Sequence, residues 1–315
     1  MSPTSSPATA LPRSAVRASD DEAQAIAALA QQASVEMTWH DSAHLDACSR
    51  HLARDTLMYV SYIPGQTWEQ TLSTCAAVRA AGLEPVPHVP VRELAGEVAL
   101  ERLVADLVAG ADVRRLLLIA GDRAEPCGPF AQTLDVLRSG VLARHDIRRI
   151  TVAGHPEGNP SIAAAELRRA EREKLLCAAA AGIELTFLTQ FFFEPAPFVV
   201  WVRELRAQGV RARLVAGLAG PAKLATLFKY ALRCGVGSSV RALGTRPSSF
   251  AGLLGDRGPE GIVRAIARAT GQAGIEPVGI HLYSFGGLVR TCAWIGSVAH
   301  GRFALDDTAA FVVGE

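Results

Sequence analysis

The chain has 315 residues, 32 Lys+Arg against 31 Asp+Glu, and 49% hydrophobic residues. That length is ample for a core of several packed layers, in one large domain or two ordinary ones. A formal net charge of +1 argues against a broadly basic nucleic-acid binder, and no apolar run approaches the length of a membrane span.

The N-terminal stretch is rich in Ser, Pro and Ala and lacks an apolar segment of signal-peptide length. Residues 1–20 read as a disordered tail, and 20–32 as a short helix capped by Ser19 or Asp20. Eight short apolar segments follow: 34–38, 56–63, 84–91, 114–121, 148–156, 185–193, 211–218 and 277–285. Most are continuously apolar, as parallel strands buried on both faces are. Helices are expected between them at 68–81, 95–108, 130–142, 161–181, 197–208, 221–233 and 261–273, several ending at a glycine. The segment after Arg233 reads as a long loop. Eight strands alternating with helices fit a single (β/α)8 TIM barrel over 21–315. A doubly wound open sheet is the rival, but no GxGxxG follows a first strand.

The six cysteines, Cys48, Cys75, Cys127, Cys177, Cys234 and Cys292, form no CxxC pair or zinc spacing, so free thiols in a reducing cytoplasm are expected. P-loop, HExxH and GxSxG motifs are absent.

In a barrel the chemistry sits at the C-terminal ends of the strands. Polar residues there are Glu36, Ser61, Tyr62, His88, Asp122, His155, Glu157, Asn159, Gln190, His281, Tyr283 and Ser284. Glu36 stands among apolar neighbours, where burial would raise its pKa and make it a proton donor near neutrality. His88 and His281 read more readily as structural histidines, Asp122 as a turn residue, and Cys127 as an ordinary loop thiol. Gln190, ahead of three phenylalanines, is an amide against an apolar wall and calls for a partner. These patterns reach a barrel enzyme with a polar pocket.

Eight motifs in chain order are SVEMT (34–38), YVSY (59–62), PH (87–88), AGD (120–122), VAGHPEGNP (152–160), TQFFF (189–193), VAGLAG (215–220) and HLYSF (281–285). Together they resemble the methylenetetrahydrofolate reductases, flavin-dependent (β/α)8 barrels, over roughly residues 30–300. The chain looks like a divergent bacterial-type member with the catalytic barrel alone. It differs from that pattern at Ala120, where Arg is common, at His155 for Tyr, at Asn159 for His, at 38–41 for prolines, and at Gly287 for Arg.

The resemblance implies a cytoplasmic flavoprotein that interconverts 5,10-methylenetetrahydrofolate and 5-methyltetrahydrofolate. Hydride would pass from NADH or NADPH through N5 of FAD, and Glu36 would protonate folate N10. It also implies that Asp122 and Gln190 join Glu36 in catalysis. FAD would meet Ser61, His88, Ala120, Gly121, Asp122, Phe130, His155, Asn159 and Lys174. Gln190, Thr226, Tyr230 and Tyr283 would bind substrate. Phe191 and Phe193 alternate with Phe192, so some of the three line the pocket and others pack against helices. No nucleic acid, membrane or metal is implied, and a homo-oligomer stays open. Two alternatives stand beside this reading: an enzyme running in the oxidative direction during one-carbon catabolism, and a folate-binding barrel without redox activity.

Overall fold

The computed structural model describes residues 13–223, 256–270, 275–276 and 278–314. Eight parallel strands close on themselves: β1 Ser34–Met37, β2 Leu57–Val60, β3 Glu84–Pro90, β4 Arg115–Ile119, β5 Arg149–Gly154, β6 Glu184–Phe191, β7 Arg213–Ala219 and β8 Val278–Tyr283. Each pairs with its sequence neighbour, and β8 pairs with β1 to complete the ring. The fold is a (β/α)8 barrel, and every strand lies within two residues of the expected ends or inside them.

The helices are α1 Arg13–Gln31, α2 Leu45–Ser49, α3 Trp68–Ala80, α4 Glu97–Ala111, α5 Thr133–Arg138, α6 Val141–Arg144, α7 Ala164–Ala180, α8 Pro195–Ala207, α9 Glu260–Thr270 and α10 Leu288–Ala299. Helix α3 begins in a capping box in which Thr67 accepts from the Gln70 amide and Gln70 answers to the Thr67 amide. The outer core lies between strands and helices and includes Phe187, Phe192, Phe198 and Trp201. A smaller inner core fills the barrel with Tyr59, Val86, Leu117, Leu188 and Val215.

Four differences from the sequence reading have local causes. Helix α1 reaches back to Arg13, so the helical segment starts before Ser19 and Asp20, and neither is its cap; alanines at 15 and 18 favour that extension. The single helix expected at 130–142 is two short ones, because the chain turns at Ser139–Gly140. Ala222–Lys223 pairs antiparallel with Asp256–Arg257 where a helix at 221–233 was expected, and the rest of that segment lies outside the described residues. Helix α10 and a hairpin of Phe303–Leu305 with Phe311–Val313 add to the expected elements. Buried Arg264 holds that hairpin, donating to the carbonyls of Asp306 and Thr308 while also pairing with Glu22 of α1.

Strand β6 breaks its register with β7 between Leu188 and Phe191. Gly217 permits this bulge: a Cβ there would stand 2.2 Å from the Thr189 carbonyl oxygen. The Gly217 amide instead donates to Thr189 Oγ1 at 2.8 Å. After the bulge Phe191 and Phe193 face the barrel mouth, while Phe192 stacks on Phe198 in the outer core with ring centroids 5.5 Å apart. The alternation expected for the three phenylalanines is what the strand adopts.

Candidate active site at the barrel mouth

Period-two alternation turns Ser34 and Glu36 of β1, Tyr59 of β2, His88 of β3 and His281 of β8 inward. Glu36 Oε2 lies 3.4 Å from His88 Nε2 and 3.8 Å from His281 Nε2. His281 is fully buried, and its Nδ1 is 2.9 Å from Ser34 Oγ. Tyr59 forms the floor: its ring packs edge-on against His281 at 4.8 Å, and its hydroxyl meets Thr151 Oγ1 at 3.0 Å.

Four polar atoms here are buried without a hydrogen-bond partner: Glu36 Oε2, Ser61 Oγ, His88 Nε2 and His281 Nε2. Native interiors leave few such atoms, and four converging from four strands mark a place built to meet something else. The sequence reading set His281 aside as structural. Its signal lay in the pairing of the first and last strands, which puts His281 beside Ser34 and one step from Glu36.

The electrostatics alter one expectation. Burial pushes the Glu36 carboxyl up, but His281, the charge of His88 and the Ser61 hydroxyl together outweigh it and hold the carboxyl below its ordinary range. Burial pushes the His88 imidazolium down, and the Glu36 carboxylate only partly opposes that. The surroundings therefore favour the carboxylate form of Glu36, where burial alone implied a protonated acid. Two inward-facing imidazoles are the reason.

An aromatic wall rises on the β6–β8 side. The Phe191 ring lies 5.7 Å from Phe193, 6.2 Å from Tyr283 and 5.1 Å from Phe285. Tyr283 donates its hydroxyl to the Thr189 carbonyl at 2.8 Å, which fixes it as a wall. Phe285 has φ 46°, a left-handed conformation that strains a side chain of this size by about 1–3 kcal/mol. Gln190 sits on the bulge and is exposed at the rim. The buried amide expected from its apolar neighbours is absent, because the bulge brings Phe191 to the mouth and leaves Gln190 at the rim.

The flank after β5 is cationic. Lys174 of α7 is partly buried and has no ion-pair or hydrogen-bond partner among the described residues. Burial lowers its pKa, with Glu171 opposing. His155 is pushed down to about 4 by burial and then by the charges of Lys174 and Arg168. Arg168 serves the scaffold: it pairs at 2.6 Å with Glu171, which also accepts from Trp201 Nε1 at 3.2 Å.

Other expected contacts fall elsewhere. Asp122 is exposed beyond β4, after Ala120 and Gly121. Phe130 packs in the outer core. Asn159 spends its side-chain oxygen on the Ser161 amide at 2.9 Å. Tyr62 donates to the Gln66 carbonyl at 2.7 Å. Thr226 and Tyr230 lie outside the described residues. Where the resembled family carries prolines after its glutamate, Thr38 caps a short 3-10 helix, Trp39–His44, and donates to Asp41 at 2.8 Å. Cys48, Cys75, Cys127, Cys177 and Cys292 are free thiols.

No family model matches the chain. Among solved structures, it is similar to the deoxyribose phosphate aldolase from Aeropyrum pernix, a protein described as tetrameric. The identity is 14% over 89% of this chain and 98% of that chain, with a TM-score of 0.41. At that distance the likeness carries nothing about substrate or assembly. Among the described residues no helix is long and apolar enough to cross a membrane, and no cluster of His, Cys, Asp or Glu could hold a metal.

Proposed function

We propose that this chain is a flavin-dependent oxidoreductase interconverting 5,10-methylenetetrahydrofolate and 5-methyltetrahydrofolate, with FAD as cofactor and NADH or NADPH as its redox partner. The observation that carries it is the set of unpartnered atoms on Glu36, Ser61, His88 and His281 at the mouth. They stand on the strands whose motifs resemble the methylenetetrahydrofolate reductases.

The residues fit such a cofactor. Ser61 and His88 offer polar atoms to a heterocycle, and Lys174, beside His155, offers a cation to a diphosphate. FAD, when bound, supplies the two-electron carrier between nicotinamide and folate. The protein's part is to hold the ring systems against the aromatic wall and to manage one proton at Glu36.

Opening the five-membered ring of methylenetetrahydrofolate requires a proton at N10, and closing it requires that proton's removal. A carboxylate between two imidazoles is suited to the removal. Its resting ionisation favours the oxidative reading, in which Glu36 takes the N10 proton as methylenetetrahydrofolate forms. In the reductive direction Glu36 must first acquire a proton, and displacement of water by the bound ligands would favour that.

Glu36→Gln should leave reduction of bound FAD by NAD(P)H nearly unchanged while slowing the folate half-reaction by about 10²–10⁴-fold. Equal loss of both would remove Glu36 from proton transfer. A purified protein that is colourless and gains no thermal stability from added FAD would exclude the flavin assignment.

A further inference from the structure

Proton transfer at Glu36 does not by itself account for His281. A buried histidine that serves packing has both ring nitrogens satisfied. His281 is fully buried and satisfies only one: Nδ1 meets Ser34 Oγ at 2.9 Å, while Nε2 has no hydrogen-bond partner and stands 3.8 Å from Glu36 Oε2. Ser34 and Glu36 are two residues apart on β1, so both point inward. The register pairs Ser34 with His281 where β8 closes the barrel. One strand thus grips the ring from one side and presents the carboxylate to the other.

Two tautomers are available to the ring. With the proton on Nδ1, the Nε2 lone pair would face a carboxylate oxygen, which is repulsive. With the proton on Nε2, the ring donates towards Glu36 and its Nδ1 accepts from the Ser34 hydroxyl. Only the second satisfies all three groups. We propose that His281 is a positioning residue for Glu36, held by the Ser34 hydroxyl in the tautomer that carries its proton on Nε2 and aims that N–H at the carboxylate. This rests on the reading of Glu36 as the proton-transfer group. A shift that closed 3.8 Å to about 2.9 Å would complete the hydrogen bond as a ligand packs over the mouth.

The other groups bearing on Glu36 are His88 from β3, Tyr59 from β2 and Ser61 just after it. The relay's share must be separated from theirs. The test is a titration of ligand-free protein labelled with carboxyl-13C glutamate and 15N histidine, with Glu36→Gln and His281→Asn assigning the signals. His281 should show Nε2 as the protonated nitrogen and Nδ1 as the acceptor. Ser34→Ala should weaken that preference and raise the Glu36 midpoint, and His281→Asn should raise it further, by about one unit. Ser34→Thr keeps the hydroxyl and should restore the parent midpoint. A midpoint unchanged in Ser34→Ala, in a protein that melts normally, overturns the proposal; so does an Nδ1-protonated ring. Should His281→Asn fail to fold, the two Ser34 variants decide. No folate or flavin enters this measurement. A failed relay leaves the oxidoreductase reading standing, and a protein that ignores FAD leaves the relay standing.

Discussion

The two ends of the barrel interior treat buried charge in opposite ways. At the N-terminal end, Glu84 of β3 and Arg115 of β4 both turn inward and pair at 2.9 Å. Arg213 of β7, at the same end, donates to Gln32 at 3.2 Å. At the C-terminal end, about two strand pleats away, Glu36, His88, His281 and Ser61 approach one another with polar atoms that complete no hydrogen bond. The same fold meets its inward carboxylate with a cation at one end and leaves polar atoms without hydrogen bonds at the other. Satisfied groups at the base hold the strands in register, whereas unsatisfied groups at the mouth await a ligand.

That contrast can be broken by mutation. Arg115→Ala should destabilise the protein by about 1–3 kcal/mol in urea unfolding, because it strands a mostly buried carboxylate. It should leave the Glu36 titration in place. A loss below 0.5 kcal/mol, on the order of an ordinary surface change, would mean that the base is no better paired than the mouth.

His155 tests the cationic flank through pH. Its folded-state pKa of about 4 lies below the ordinary 6.5, so between those values the unfolded chain binds the proton and the folded chain does not. Stability therefore falls as pH drops through that window. His155→Gln should lose less stability between pH 7 and pH 4.5 than the parent, read by unfolding at both values. Parallel losses would show that burial, with the charges of Lys174 and Arg168, does not hold the His155 pKa down.

The smallest effect is expected at the mouth. Ser61→Ala removes a buried hydroxyl without a hydrogen-bond partner, so stability should stay within about 0.5 kcal/mol of the parent or rise slightly. FAD affinity, measured by fluorescence titration, should fall. A loss of more than about 1 kcal/mol in stability would place Ser61 in the scaffold and blunt the contrast between the two ends.

The fold was legible because its signals are local. Continuous apolar runs mark strands covered on both faces, and the glycines after α3, α7 and α8 mark where each helix gives way to the next strand. The site was legible in part. Glu36, Ser61 and His88 could be picked out as polar residues near strand ends, and Lys174 by resemblance. Phe130 could not be placed, because an aromatic in a loop is equally suited to a core or a ligand, and its loop folds inward. The exposure of Gln190 could not be read, because a bulge changes strand parity without changing composition.

By itself the sequence determined eight buried strands, the helices between them, and a first strand carrying one carboxylate among apolar neighbours. Only the closed barrel decided what that carboxylate meets. Ser34 and His281 are 247 residues apart and touch because the last strand pairs with the first. Burial alone would have protonated Glu36, and the two imidazoles brought by β3 and β8 keep it ionised. Local pattern records what a residue prefers, whereas a proton's affinity depends on which charges the fold brings within a few ångströms.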